Sequence, residues 1–513
     1  MDHVLGAAQE EAVQYMLRPE CDGAAMLAWD MGLGKTRTGL MFARAYNASC
    51  VLVVLPLQTM EDWEKTAGVE YPELPVKVIN SDKDGKRALA DFQWRADGIY
   101  LITHQYWESK AWVKELVKKR RKTDPDKWRK VDSGVWGGTD YLLLFDESHR
   151  SANADSWTFK ALMNLTPFQQ GGPFKVAMSG TFMGDRFDGA FGATRWLWPH
   201  RTDILPVSIF DWRKMWAKTV YDRFAPRNEK VVGEKEEGAF VSALPCYLRM
   251  ESDQPDAIHH EIYLELYPEQ RRVYDELDDR MVAWINDEPL TAEYSITKRA
   301  RQRQTALAMP TLTFDPDTDE LLDVSFHEDA DSVKIDALFR EIDGEGELGD
   351  LMVGETALIL TDSQKFARIL TKRLNKRYGD VAREWSGKVS RPQRKLVKQQ
   401  FIDGEIQYIV GVQSAMGTGT DGLQAATHIV AFMSRADRRI DNEQGIARAN
   451  RKGQKNQVHV ISFIADETVD TGQISKQLEA AIRMSKMMRA KVRRQQMEEQ
   501  RERNNRYKEV VGF

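Results

Sequence analysis

Three short stretches hold residues whose types and spacing suit work on phosphates. The first is AWDMGLGKTRTG, residues 28–39. A phosphate-binding loop reads Gly, four residues, then Gly-Lys-Ser/Thr. Gly34, Lys35 and Thr36 satisfy its end, but Trp29 stands where its first glycine belongs. Backbone N–H groups of Gly32, Leu33 and Gly34, at the start of a helix, would cradle phosphates. Lys35 would reach the β- and γ-phosphates, and Thr36 would ligate magnesium. The second stretch is YLLLFDESH, residues 141–149, an apolar run ending in adjacent carboxylates. Burying such a pair is costly without a task. Asp146 would hold Mg²⁺ through water, and Glu147 would polarise an attacking water and stand beside the metal. The third is QGIARANRKGQ, residues 444–454. Arg448 and Arg451 are three apart, so on a helix they share a face and suit charge developing on a γ-phosphate. Ser179-Gly180-Thr181 is weak evidence alone. Behind the first two stretches it reads as a relay between the nucleotide and a second ligand.

The elements that must position these residues are legible as well. VLVVL (51–55), IYLIT (99–103), YLLLF (141–145) and FKVAM (174–178) are short, continuously apolar runs. ALILT (357–361), QYIVGV (407–412), THIVAF (427–432) and VHVISFI (458–464) repeat the pattern. Such runs, separated by helix or loop, predict parallel sheets buried on both faces. Ligands then bind at the carboxyl ends of the strands, where the charged and glycine-rich stretches fall. Between the two sets, about 200–350 is less regular. Its segment 314–331 holds eight acids and no Lys or Arg, which predicts a solvated loop.

The order of motifs resembles that of superfamily-two helicase-type ATPases, specifically the Swi/Snf family of DNA translocases. That family's loop carries an acid, not a glycine, at the place of Trp29. Leu5 to Gln9 resembles the adenine-reading motif, with Gln9 as its reader. Pro56 to Trp63 and Ile102-Thr103-His104 resemble DNA-contacting motifs. YPEQRRVYDEL (267–277), SVKIDALFREI (332–342), SGKVSRPQRKLVKQQF (386–401) and GTGTDGLQAATHIV (417–430) resemble further family segments. Gln444, Arg448, Arg451 and Gln454 match the last motif. Two residues depart from the pattern: Gly422 replaces an Asn, and Phe182 replaces a Pro. The resemblance covers about residues 1–470. It implies an α/β protein of two RecA-like lobes, with ATP and Mg²⁺ between them. Lys35, Glu147, Arg448 and Arg451 would then be catalytic; Gln9, Gly32, Leu33, Gly34, Thr36, Asp146 and Gln444 would bind the nucleotide. Thr36, Asp146 and Glu147 would serve the metal.

The expected domains are lobe 1 over 1–245 with a basic insert at about 107–138, a connecting segment over 246–350, lobe 2 over 351–472, and a basic helical tail over 473–513. Residues 110–130 carry ten Lys/Arg against three acids, and 483–513 carry ten against four, in a chain of net charge −5. The cysteines Cys21, Cys50 and Cys246 are scattered, which fits a reducing compartment and no zinc module. No apolar run reaches the length of a membrane span, and the N-terminus lacks a signal peptide's pattern. The expected location is the cytoplasm, in a bacterial nucleoid or a virus-infected cell. The expected partner is double-stranded DNA, branched or forked DNA included, acted on by a monomeric motor. A strand-separating or branch-migrating helicase on DNA or RNA, and an ATP-driven recruitment switch, stay open as alternatives.

Overall fold

The computed structural model describes residues 6–472, apart from 118–126, 139, 166–173, 185, 224–227, 286–287, 293–294, 319 and 417–421. The tail expected over 473–513 lies outside the described residues. The described chain divides after Ser252 into two α/β units.

The first unit is built on a seven-stranded sheet in which every pairing is parallel. Its strands are β1 (Ala24–Trp29), β2 (Cys50–Leu55), β3 (Val76–Ile79), β4 (Gly98–Thr103), β7 (Leu142–Asp146), β8 (Phe174–Met178) and β11 (Tyr247–Met250). They lie in the order β11-β1-β8-β7-β2-β4-β3. Two antiparallel ribbons stand outside this sheet: β5 (Trp112–Val117) with β6 (Lys127–Asp132), and β9 (Ala217–Tyr221) with β10 (Glu229–Glu234). The central strands β1, β2 and β7 are buried at every residue, as continuous apolar runs require. Helices cover the sheet: α1 (Ala7–Met16), α2 (Lys35–Ala45), α3 (Met60–Glu70), α4 (Lys83–Gln93), α5 (His104–Ala111) and α6 (Trp157–Asn164). On α3, Met60, Trp63, Ala67 and Glu70 recur at helical spacing and are the buried face.

The second unit has a six-stranded, wholly parallel sheet. Its order is β12 (Ile258–Leu264), β21 (His459–Ala465), β20 (Ile429–Phe432), β17 (Ala357–Thr361), β19 (Tyr408–Val412), β18 (Ala382–Trp385). The fold class expected from the sequence, two α/β units on parallel sheets, is met. Two further antiparallel ribbons, β13 (Val282–Ile285) with β14 (Glu288–Thr291) and β15 (Thr311–Phe314) with β16 (Leu321–Ser325), enclose a small core with Val273 and Leu277. The stretch read as a connecting segment, 246–350, thus supplies the edge strand β11 to the first sheet and the edge strand β12 to the second.

One expectation is corrected here. The acidic segment 314–331 is not a solvated loop: it holds β16, with Val324 and Phe326 buried. Three of its acids face the basic helix Gln364–Tyr378. Asp323 pairs with Lys365, Glu328 with Lys372 at 3.1 Å, and Asp329 with Lys376 at 3.0 Å. Charge complementarity along one helix explains a run of like charges that composition alone reads as solvent.

Candidate nucleotide site

Because the first sheet is parallel, β1, β2, β4, β7 and β8 all end on the same edge. The loop Asp30–Gly34, Pro56-Leu57, His104, Glu147 and Ser179 therefore emerge together. Strand β1 ends at Trp29, and α2 begins at Lys35 with Gly34 as its N-cap. Gly34 has φ +83°, and a Cβ there would stand 2.3 Å from Gln9 Nε2. Only glycine fits this place. Gln9 donates to the Leu33 carbonyl at 3.2 Å, and its Oε1 accepts from the Gly6 N–H at 3.1 Å. The far end of the loop is pinned from β11. Arg249 pairs with Asp30 at 2.7 Å and donates to the Ala28 carbonyl at 2.7 Å; the Ser252 N–H reaches Asp30 at 3.0 Å.

Lys35 donates to the carbonyls of Trp29 and Asp30 at 2.9 and 3.0 Å. Burial lowers its pKa, opposed by the charges of Glu147 and Asp146. Thr36 follows it in the first turn of α2. The indole of Trp29 is 2 % exposed, so it belongs to the core and not to the loop's phosphate-facing side. That disposes of the missing first glycine: the backbone carbonyl of residue 29, which any residue supplies, is the part turned to the loop.

Asp146 is the last residue of β7 and is buried. Burial, then the adjacent Glu147, push its pKa up to about 6. Its Oδ2 accepts the Trp63 indole N–H at 3.2 Å, and its Oδ1 accepts the Glu147 N–H at 3.0 Å. Sequence reading had placed Trp63 at the end of a DNA-contacting motif. The structure puts its ring, 1 % exposed, behind the carboxylate. Glu147 adopts the left-handed region, φ +50° and ψ +51°. Its Oε2 lies 3.1 Å from His149 Nδ1, which is 3.4 Å from Ser179 Oγ, and that hydroxyl accepts the Thr181 N–H at 3.2 Å. A polar chain thus joins the tip of β7 to the tip of β8. Phe182, the departure after this tripeptide, is fully buried and packs on Tyr247 of β11 at 5.6 Å, anchoring the loop by contact.

In the second unit the helical premise for the arginines needs correction. The helix Arg439–Ile446 stops before them, and Arg448 and Arg451 follow in successive turns, with Arg448 N–H on Gly445 O at 3.2 Å. Arg448 and Gln444 are buried, and Arg451 is half-buried. Gln454 is wholly occupied by backbone: it donates to Gln424, Thr427 and Ala449 carbonyls and accepts from the N–H groups of Lys455 and Asn456. The segment GTGTD, residues 417–421, lies outside the described residues. Gly422, the other departure, has φ +102°, which a side chain resists. A polar cluster that sequence reasoning missed sits at the ends of β17 and β20. There Asp362 pairs with Arg303, and Ser434 joins Thr361 at 3.0 Å and Gln413 at 2.6 Å. These are common polar types with no spacing signature.

The parallel sheet, the glycine-closed loop and the paired acids at the strand ends have the arrangement of a P-loop nucleotide site. Residues 8–183 match the SNF2-related domain family. The chain is 24 % identical over 472 residues to a protein of Bacillus subtilis (strain 168) with the provisional name ATP-dependent helicase/translocase YwqA, covering 87 % of this chain and 44 % of that one. It is 27 % identical over 179 residues to Protein CHROMATIN REMODELING 4 of Arabidopsis thaliana, covering 34 % of this chain and 8 % of that one. The solved Sulfolobus solfataricus SWI2/SNF2 ATPase core in complex with dsDNA is similar at 18 % identity and a TM-score of 0.39, over 96 % of this chain and 94 % of that one. The chain spans less than half the length of the two protein relatives. Among the described residues, no helix is long and apolar enough to cross a membrane.

Proposed function

We propose that the chain hydrolyses ATP and uses the cycle to track along double-stranded DNA. The observation that carries this reading is the juxtaposition of Lys35, Asp146 and Glu147 on one sheet edge, electrostatically coupled, beside a loop only glycine can close. Lys35 would leave its two carbonyls for the phosphates, supplying a positioned cation. Gln9, already tied to the loop, is the adenine reader. Among the described residues no three His, Cys, Asp or Glu are grouped to hold a metal unaided. That fits Mg²⁺, which takes one or two protein ligands and completes its shell on substrate phosphates. Thr36 and Asp146 would hold it, with Glu147 beside them; bound there, it would neutralise phosphate charge. A carboxylate whose burial disfavours its charge is a suitable partner for a cation.

Glu147 is the general base for the attacking water, and His149 and Ser179 hold its carboxylate in place. Arg448 and Arg451 are assigned to the charge that develops on the transferred phosphoryl group. Arg448→Ala and Arg451→Ala should each lower kcat on the order of 10³-fold. Normal turnover in either variant makes that arginine structural or DNA-facing. The name of one relative, a helicase/translocase, favours a nucleic acid as the track, and we take that track to be duplex DNA.

The test of the whole reading is the ATPase rate titrated with duplex DNA, single-stranded DNA and RNA. Stimulation by duplex supports a duplex-tracking motor. Stronger stimulation by single strands or RNA favours a strand-separating helicase, and indifference to all three favours a recruitment switch.

A further inference from the structure

The basic insert is not used by the nucleotide chemistry, yet part of it forms a defined surface. The ribbon β5–β6 pairs Lys114 directly with Lys130. Like charges so placed repel and destabilise a ribbon unless an anion lies between them. Among the described residues neither lysine forms an ion pair. Lys130 rests its ammonium over the Trp157 ring, 4.3 Å from the centroid, and Trp112 meets that ring edge-on at 5.1 Å. Lys114, Lys130 and Trp112 line a cavity of about 420 Å³, together with His104 and Arg150. The one acid on its wall, Glu108, is engaged by the Thr158 hydroxyl at 2.7 Å. His104 is 4 % exposed, and neither ring nitrogen has a hydrogen-bond partner. Farther along the same ribbon face, Leu116 and Trp128 form the next same-facing pair, 47 % and 60 % exposed.

We propose that this cavity seats a phosphodiester group of the nucleic-acid track, with Lys114 and Lys130 as its cationic jaws. Its chemistry is that of a backbone-binding groove: cations for phosphate, which carry affinity without reading sequence. Arg150 follows the DESH sequence within one short helix, Ser148–Ser151, so the seat is continuous in the chain with the tip of β7. The proposal rests on the DNA reading above and adds a contact that the family resemblance does not supply.

The experiment uses the full chain with a labelled DNA duplex, its affinity measured across a salt series. Lys114→Gln/Lys130→Gln should flatten the slope of log affinity against log salt by about 0.9, the loss of one phosphate contact. The maximal ATPase rate at saturating duplex should not change. Relief of the like-charge pair should leave the melting temperature equal or higher, so misfolding is separable from lost contact. Lys130→Arg should keep the wild-type slope. An unchanged slope in the double variant, with wild-type binding intact, overturns this assignment and spares the motor reading; absence of duplex binding by the wild type overturns both. Inorganic phosphate, compared with chloride at equal ionic strength, separates the sources. Phosphate that raises the wild type's melting temperature, but not the double variant's, without displacing duplex would mark a free-anion site and overturn the nucleic-acid assignment.

Discussion

Asp146 is kept as a carboxylate where burial favours its protonated form, and that conflict is measurable. Its folded pKa, about 6, lies above the ordinary aspartate value of 3.8. A raised pKa contributes stability that is full below the ordinary value and lost as pH rises through the folded one. Asp146→Asn should therefore match the wild type in thermal stability near pH 4. It should exceed the wild type by roughly 1–3 kcal/mol at pH 7 in the absence of nucleotide and magnesium. Equal stability at both pH values would show that Lys35 already compensates the charge in full. The residues of this site were legible because each needs a particular type at a particular spacing: glycine, lysine and threonine in sequence, or two acids after an apolar strand. Trp29 misled for the opposite reason, since its backbone serves the loop and its side chain serves the core.

Helix α3 brings Trp63 behind Asp146, and this contact could not be read from the chain. An indole at helical spacing with Met60 and Ala67 looks like core, and it is; only the docking of α3 against β7 turns its N–H toward the carboxylate. Trp63→Phe keeps most of the buried surface and removes that donor. Asp146 should then titrate higher still, so the acid limb of kcat should move to higher pH and the apparent magnesium affinity should weaken. A profile superimposable on the wild type's would show the hydrogen bond to be incidental. Elements with continuous apolar runs were visible because fully buried parallel strands carry no polar alternation to confuse them. The ribbons were not. Segments such as Thr311–Phe314 and Leu321–Ser325 are four or five residues long, flanked by acids, and are fixed by partners distant in sequence. The end of the helix at Ile446 was hidden likewise, because Ala447 and Arg448, which follow it, are good helix formers.

For the molecule as a whole, each unit closes a parallel sheet around its own core, and chemistry is confined to strand ends and ribbons. No described ribbon lies between the lobe-two motifs that follow β17. Tracking along a duplex needs only phosphate contacts renewed with each cycle. Separating strands costs about 1.4 kcal/mol per base-pair step and needs a group inserted at the junction. The chain should accordingly displace the third strand of a DNA triplex with ATP while leaving a simple tailed duplex largely paired. Efficient unwinding of the tailed duplex, by gel assay, would reassign it as a helicase.

The backbone of Glu147 carries a last consequence. A non-glycine residue at φ +50° sits in a region that costs about a kcal/mol or more, and glycine would occupy it freely. At this position selection for durability and selection for catalysis pull apart. Glu147→Gly is the change a stability-driven search would favour, and it removes the proposed base. Variants of this chain enriched only for heat resistance should therefore drift toward glycine at 147, and the drift itself would locate the reaction centre without any substrate in the assay.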